Sequence, residues 1–380
     1  MPLGRLRRIL PVFSSIVLIL IFAAPMRGDD ATAIFPLKDV KAGMKGEVYT
    51  IFEGDTIEKV DLVVLGVLQN ALGPKQDIIL VQLLGAKVEH TGVVAGMSGS
   101  PVYFEGKLAG ALSLKLGAFT KEAIGGVTPI ENMLSVIDAP HPAPGTAGVS
   151  AAGGNAGGAG FSARVALPGK FVSETGVGAG EFLVPIETPL IASGVYPDTM
   201  TQFSKELASW GMSMMAGGTT PASPDDARLK PGDMVAVELM RGDLTITPGC
   251  TVTTVEANGK VLACGHPIFS FGNVAMPMAR AHVITTLASA LASTKIISTG
   301  GTIGTLTQDR MTAIGGQLGP EPPMIPITVE LKTPTEERKF HFEAVESPQL
   351  TPTLVALATY NGIVGSTAYG EGFTLQLEGE

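Results

Sequence analysis

Glycine and proline punctuate this chain too often for long helices to dominate it. The 380 residues include 48 Gly and 27 Pro, and aromatic residues are only 6%. Gly and Pro are costly inside a helix and suit tight turns, so the composition favours many short strands. Charged residues make up 16% and apolar residues 45%, which is enough apolar surface for a large interior. The length exceeds one ordinary core and predicts two domains or a double-lobed one. The net charge of −9, with no Lys/Arg cluster beyond the N-terminus, argues against a nucleic-acid partner.

Arg5, Arg7 and Arg8 form a basic patch, residues 9–24 run without a charge, and Ala31-Thr32-Ala33 offers a small-residue cleavage site. This is the layout of a secretory signal peptide over residues 1–33, with an uncleaved anchor as the alternative and the membrane involved only in that case. The expected localisation is exported: periplasm, cell envelope or secreted. Residues 34–139 read as a first β-rich lobe, with strands at 47–52, 60–67 and 78–84 and a short closing helix at 131–137. Residues 140–160 are a Gly/Ala/Pro-rich linker. A connecting segment at 161–224 holds what is expected to be the only sizeable helix, where Met200, Phe203, Leu207 and Trp210 share a face. Strands return over 225–380, and residues 373–377 alternate like a further one. Residues 283–297 are apolar, but Lys295 and several Ser/Thr interrupt them.

There are two cysteines, Cys250 and Cys264. Asn258-Gly259 is a strong hairpin signal between residues 252–255 and 260–263. If those two residues form the loop, Cys264 faces Thr253. Cys250 then lies about 10 Å away on the opposite face. A disulfide would need a bulge or a longer loop.

The most specific stretch is Gly96-Met97-Ser98-Gly99-Ser100-Pro101, followed by a hairpin in which residues 102–104 and 108–113 flank Glu105-Gly106. The two glycines allow a tight turn that exposes the Ser98 hydroxyl. They also let the backbone N–H groups of Gly96 and Ser98 converge where an oxyanion would form. Ser98, between the glycines, is the expected nucleophile, and Ser100 is expected to pack or bond locally. The plain alternative is a Gly/Ser turn before an ordinary hairpin.

A serine nucleophile needs a base. The candidates are His90, His141, His266, His282 and His341. His141 lies in the linker, His341 alternates within a strand, and His282 follows Arg280 in an expected helix or turn. His90 is near Ser98 in sequence, but adjacent strands would carry it elsewhere. His266 follows a buried strand, preceded by Gly265 and fixed by Pro267, which makes it the base of choice. No metal or nucleotide motif is present, and no cofactor is expected. Gly300-Gly301-Thr302-Ile303-Gly304 lacks the lysine of a phosphate loop.

At these two segments the sequence resembles the SpoIVB peptidase family, serine peptidases with a trypsin-like double β-barrel. Residues 40–111 resemble that family's strands leading into the serine loop, and residues 250–329 its histidine lobe. The resemblance implies a mainly β, trypsin-like double β-barrel with a short helical insertion. It also implies a circularly permuted order, since the serine here precedes the histidine. The family's acid should lie shortly before the serine loop, where this chain has Leu83. Glu89 is the one acid nearby, and the first acid after His266 is Asp309, in the same expected lobe. Asp309 is therefore the candidate for orienting the imidazole, and a plain Asp309–Arg310 surface pair is the alternative. The implied function is an exported serine endopeptidase acting on a protein or peptide of the envelope or secreted space. The rival is a peptidase-fold binding or scaffold module that has lost its activity.

Overall fold

The computed structural model describes residues 32–117, 122–137, 139, 165–166, 182–210, 212, 214–223, 226, 228–290, 292–332 and 337–365. Residues 1–31 of the expected signal peptide, the whole of the expected linker and residues 373–377 lie outside them.

The first lobe is a closed six-stranded barrel. Its strands are β1 (Lys45–Ile51), β2 (Ile57–Leu68), β3 (Ile78–Leu84), β4 (Pro101–Phe104), β5 (Lys107–Leu116) and β6 (Ile124–Pro129). They pair in the order β4-β1-β2-β3-β6-β5, and β5 returns to β4 to close the ring. The apolar run of β3 is continuous because both faces are covered. Ile79, Val81 and Leu83 enter the barrel core with Val48, Leu62, Phe104 and Leu112. Ile78 and Leu80 pack outside it against Leu68, Leu114 and Leu183. A short helix, α1 (Ala86–Thr91), follows β3 and leads into the serine loop.

Helix α2 (Ile130–Ile137) buries Ile130, Met133, Val136 and Ile137, an i, i+3 and i+4 pattern. These residues meet Leu108 and Ala111 of the first barrel and Leu262 and Ala313 of the second lobe. The helix is thus a bridge as well as a cap.

Four short strands link the lobes: β7 (Val165–Ala166), β8 (Phe182–Pro185), β9 (Leu190–Ser193) and β10 (Met214–Ala216). Strand β8 adds to β5 of the first barrel, and β9 pairs with strand Thr245–Val255 of the second lobe. Helix α3 (Pro197–Ser209) lies between β9 and β10, on the stretch read as helical from sequence.

The second lobe follows β11 (Gly218–Thr219) and contains β12 (Met234–Val237), β13 (Met240–Gly242), β14 (Thr245–Val255), β15 (Lys260–Ala263), β16 (Gly272–Leu287), β17 (Thr294–Arg310) and β18 (Ala313–Leu318). The ring β12-β16-β17-β18-β15-β14 is closed by β14 pairing with β12. The fold is therefore mainly β and consistent with a double β-barrel. A hairpin of β19 (Met324–Lys332) and β20 (Glu337–Val345) extends the sheet through β13. Beside it packs α4 (Thr351–Val364). At 14 residues it is longer than α3, so the expectation of a single sizeable helix fails. Its sequence is apolar nearly all round, which hides the helical period. Leu354, Leu357 and Ala358 are the buried stripe. His282 is also relocated, from an expected helix or turn to β16.

The cysteines form a disulfide, Cys250–Cys264, with Cα atoms 5.3 Å apart, against the expectation from a regular hairpin. The loop is one residue longer than expected, with Val255 opposite Val261, and a bulge between Val252 and Thr254 shifts the register by one more, so Val252 faces Ala263. Cys264 then turns through a left-handed φ of 65°, which brings it beside Cys250. Among the described residues no helix is long and apolar enough to cross a membrane.

Candidate active site between the barrels

The serine loop is built by successive turns. Met97 N–H donates to Val94 O (3.0 Å), and Ser100 N–H donates to Met97 O (2.9 Å). Gly96 and Gly99 both have φ of 92°, a left-handed conformation that side chains resist. Met97 is wholly buried and anchors the turn in the first core.

The second barrel grips the same loop. Thr251 N–H donates to Ser98 O (2.8 Å). The Thr251 hydroxyl donates to Gly96 O, and the Thr253 hydroxyl donates to Gly99 O, each at 2.8 Å. The approach is so close that a Cβ on Gly99 would lie 1.9 Å from Thr251 O. No sequence signal marked Thr251 or Thr253, since their partners are some 150 positions away.

His266 comes to the same junction from the other side. Cys264 and Gly265 are consecutive left-handed residues, with φ of 65° and 70°. They fold the chain back as it leaves β15. Gly265 O accepts from the Thr128 hydroxyl of β6 (2.8 Å), and that hydroxyl lies 2.7 Å from Ser113 Oγ of β5. The histidine loop is therefore tied to the first barrel as the serine loop is tied to the second.

Both reactive atoms are enclosed. Ser98 is 0% exposed and His266 4%. Ser98 Oγ and His266 Nε2 have no hydrogen-bond partner, so they do not bond to each other. Leaving such atoms unpaired costs about 1–3 kcal/mol each. Burial pulls the His266 pKa below its ordinary value of 6.5, opposed by the Pro267 and Ile186 backbone and by the Glu187 charge. The ring is thus neutral at pH 7. His266 Nδ1 lies 2.8 Å from Pro267 O. With the proton on Nδ1, Nε2 is left as a free acceptor, which is the tautomer a general base requires.

Asp309 does not reach the imidazole. Its carboxylate accepts from the N–H groups of Ile268 and Phe269 (2.8 Å each) and Phe271 (3.3 Å). It is 1% exposed, so it is not the plain surface pair either. Burial pushes its pKa up, against the pull of those donors. Its position gives it a different task, which is to fix the turn just after His266-Pro267. Glu89 is exposed on α1, and the Leu83 side chain is buried in the first core.

The N–H of Gly96, one of the two expected oxyanion donors, is occupied. It donates to the main-chain O of Glu187 (3.1 Å). Beneath the loop lies Lys295, 0% exposed, whose side-chain carbons come within 3.2–3.5 Å of where a Gly96 Cβ would be. Its Nζ donates to the Thr50 hydroxyl (2.9 Å), and burial pulls its pKa down to about 7. A lysine interrupting an apolar run was the one sequence sign of it.

The other histidines stand apart. His282 Nδ1 meets Asp55 Oδ1 (2.8 Å), and His90 and His341 are exposed. His141 is outside the described residues. Among the described residues no three His, Cys, Asp or Glu side chains are grouped as a metal ion would need.

The serine turn of one barrel and the histidine turn of the other each bond across the same inter-barrel junction. Residues 26–134 match the SpoIVB peptidase S55 family. The match spans the first barrel and the serine loop, and it supports a peptidase fold of SpoIVB type. His266 lies beyond the matched residues. Among curated proteins, none matches the chain.

Proposed function

We propose that the chain is an exported serine endopeptidase of SpoIVB type, cleaving a protein of the envelope or secreted space. The observation that carries this reading is the pair of enclosed, unpartnered atoms Ser98 Oγ and His266 Nε2, on loops that each bond across the inter-barrel junction. Ser98 would attack the scissile carbonyl while His266 takes its proton at Nε2, then returns it to the leaving amine. The N–H groups of Gly96 and Ser98 would hold the oxyanion. The Pro267 carbonyl would take the orienting role at Nδ1, with Asp309 as a positioning residue for that turn. Export is supported by the basic and apolar N-terminal layout and by the disulfide, which persists in oxidising compartments.

A binding or scaffold module on a peptidase fold is the second reading. It is favoured by the absence of a carboxylate on the imidazole and of a Ser98–His266 bond. Labelling with a fluorophosphonate separates the two. The endopeptidase reading expects covalent modification at Ser98, its loss in Ser98→Ala, and a rate lower by on the order of 10³-fold or more in His266→Ala. If Ser98 remains unlabelled at neutral and alkaline pH, even when the segment covering it is released, the scaffold reading takes its place.

A further inference from the structure

One stretch of the chain lies across the candidate site from end to end. Strand β8 pairs antiparallel with the last residues of β5, with Leu183 opposite Leu116, Val184 opposite Lys115 and Pro185 opposite Leu114. The next residue keeps to the same edge, as Ile186 N–H donates to Ser113 O (2.9 Å). Then Glu187 O takes the N–H of Gly96, and Pro189 O takes the N–H of Gly249 (3.2 Å) in the second barrel. Leu190 begins β9, opposite Pro248. Eight residues therefore run along one barrel, over the serine turn and onto the other.

This is how a peptide is held by strand addition. Main-chain bonds supply affinity, and alternate side chains are read by the surface beneath. Here the side chains are read as well. Ile186 is wholly buried and joins the first core. Glu187 points the other way, half exposed, with Oε2 2.6 Å from Lys115 Nζ. A cavity of about 160 Å³, lined by Lys115, Glu89, His90 and Glu122 among others, opens beside this edge, and neither Ser98 nor His266 lines it. The space at the reactive atoms is taken by the chain itself.

Resting on the endopeptidase reading of Ser98, we propose that residues 182–189 are an intramolecular pseudosubstrate that keeps the site latent, and that Lys115 selects an acidic side chain in the peptide that replaces them. The occupant marks the substrate class: an extended segment with a large apolar residue followed by an acidic one. Latency follows from the bonds. While Glu187 O holds the Gly96 N–H, that donor cannot serve an oxyanion. While Ile186 covers the junction, no second peptide can enter.

The test uses the full chain and two readouts. Hydrogen exchange of the amides at residues 94–98 reports whether the segment has left. Fluorophosphonate labelling reports whether Ser98 then reacts. Glu187→Lys sets a second lysine against Lys115, whose side chain is 12% exposed where that of Glu187 is 51%, and is checked for native circular dichroism. It should speed both readouts by about two- to fivefold, as loss of one ion pair allows. The double reversal Lys115→Glu with Glu187→Lys should return both to within about twofold of wild type. Ile186→Ala, checked for native circular dichroism, should speed both at least about tenfold. A synthetic peptide of residues 182–190 should slow the labelling of Ile186→Ala, and the same peptide with Lys at the position of Glu187 should slow it less. Faster exchange with Ser98 still unlabelled keeps the segment as occupant but ends the peptidase reading on which latency rests. Unchanged exchange and labelling in Glu187→Lys and in Ile186→Ala overturns the pseudosubstrate, whatever the wild-type serine does.

Discussion

In the first barrel Ser98 sits on a turn that closes on itself, residue 97 to 94 and residue 100 to 97, and is then gripped from the second barrel by Thr251 and Thr253. In the second barrel His266 sits on a turn fixed from far along the chain. Cys250 holds it through the disulfide, Asp309 clamps the residues after it, and Thr128 of the other barrel takes its backbone. The strands differ in the same sense. Each hairpin of the first barrel has at most one register shift, whereas the β16–β17 pair alone has four. Local bonds make a turn that its own few residues define. Distant bonds make a turn that fails when any of several remote residues changes. The serine turn should therefore answer to its own loop and to Thr251 and Thr253, and the histidine turn to remote residues almost alone.

The hardest blow to this division falls where the barrels touch. Gly99→Ala would drive a methyl into the Thr251 backbone, and we expect a loss of at least about 3 kcal/mol in urea unfolding. Gly106→Ala is the control, since its φ of 73° is similar but nothing lies within 4 Å of the added carbon. It should cost about 1 kcal/mol. Equal losses would mean that backbone strain, and not the inter-barrel contact, sets the sensitivity of this loop.

Replacing both cysteines by serine sharpens the comparison. A bridge between positions 14 apart is worth about 3 kcal/mol. Amides of β14 and β15 should exchange faster, with those of β1 to β3 unchanged. Uniform acceleration would show that the barrels unfold as one unit.

Lys295→Met should act in the opposite direction, with a gain on the order of 2 kcal/mol at pH 7. The folded pKa of about 7 lies below the unfolded value of 10.5. Between those limits the unfolded chain holds a proton that the folded chain lacks, so wild-type stability rises with pH across that window. The variant should lose that slope, as denaturant midpoints at pH 7, 8 and 9 will report.

The smallest effects are at the base itself. Asp309→Asn should slow Ser98 labelling by less than about tenfold, against about 10⁴ for an acid that orients the imidazole directly. Labelling should decline with acid only below pH 6.5, because burial lowers the His266 pKa. An acidic limb above 6.5 would place a carboxylate on the ring after all.

How much of this was legible follows the same line. Strand β3 was read residue for residue, because a buried run bounded by turn residues leaves little choice. Gly96 to Pro101 announced its turn, because glycines at fixed offsets specify backbone shape locally. The disulfide, α4 and the place of His282 were misread. A bulge adds one residue and turns every later side chain over, and a helix apolar nearly all round has no hydrophobic period to detect. Asp309 was found as a residue but given the wrong partner, since sequence distance from His266 does not say which donor a buried carboxylate will meet. The segment at residues 182–189 had no sequence signal, because its strand pairing and its bond to Gly96 are made by main-chain atoms.

The missing side chain at residue 99 has one more consequence. At that point the gap between the barrels is set by backbone touching backbone, and so the local spacing is written in peptide geometry, while Leu108 and Ala111 meet Leu262 and Ala313 through side chains elsewhere along the seam. Core residues away from the seam can be repacked without moving this point, provided that position stays bare. A chain built this way can drift widely in its interiors and still present its serine and its histidine at the same separation, with a single methyl group as the gauge that would tell the two barrels they no longer fit.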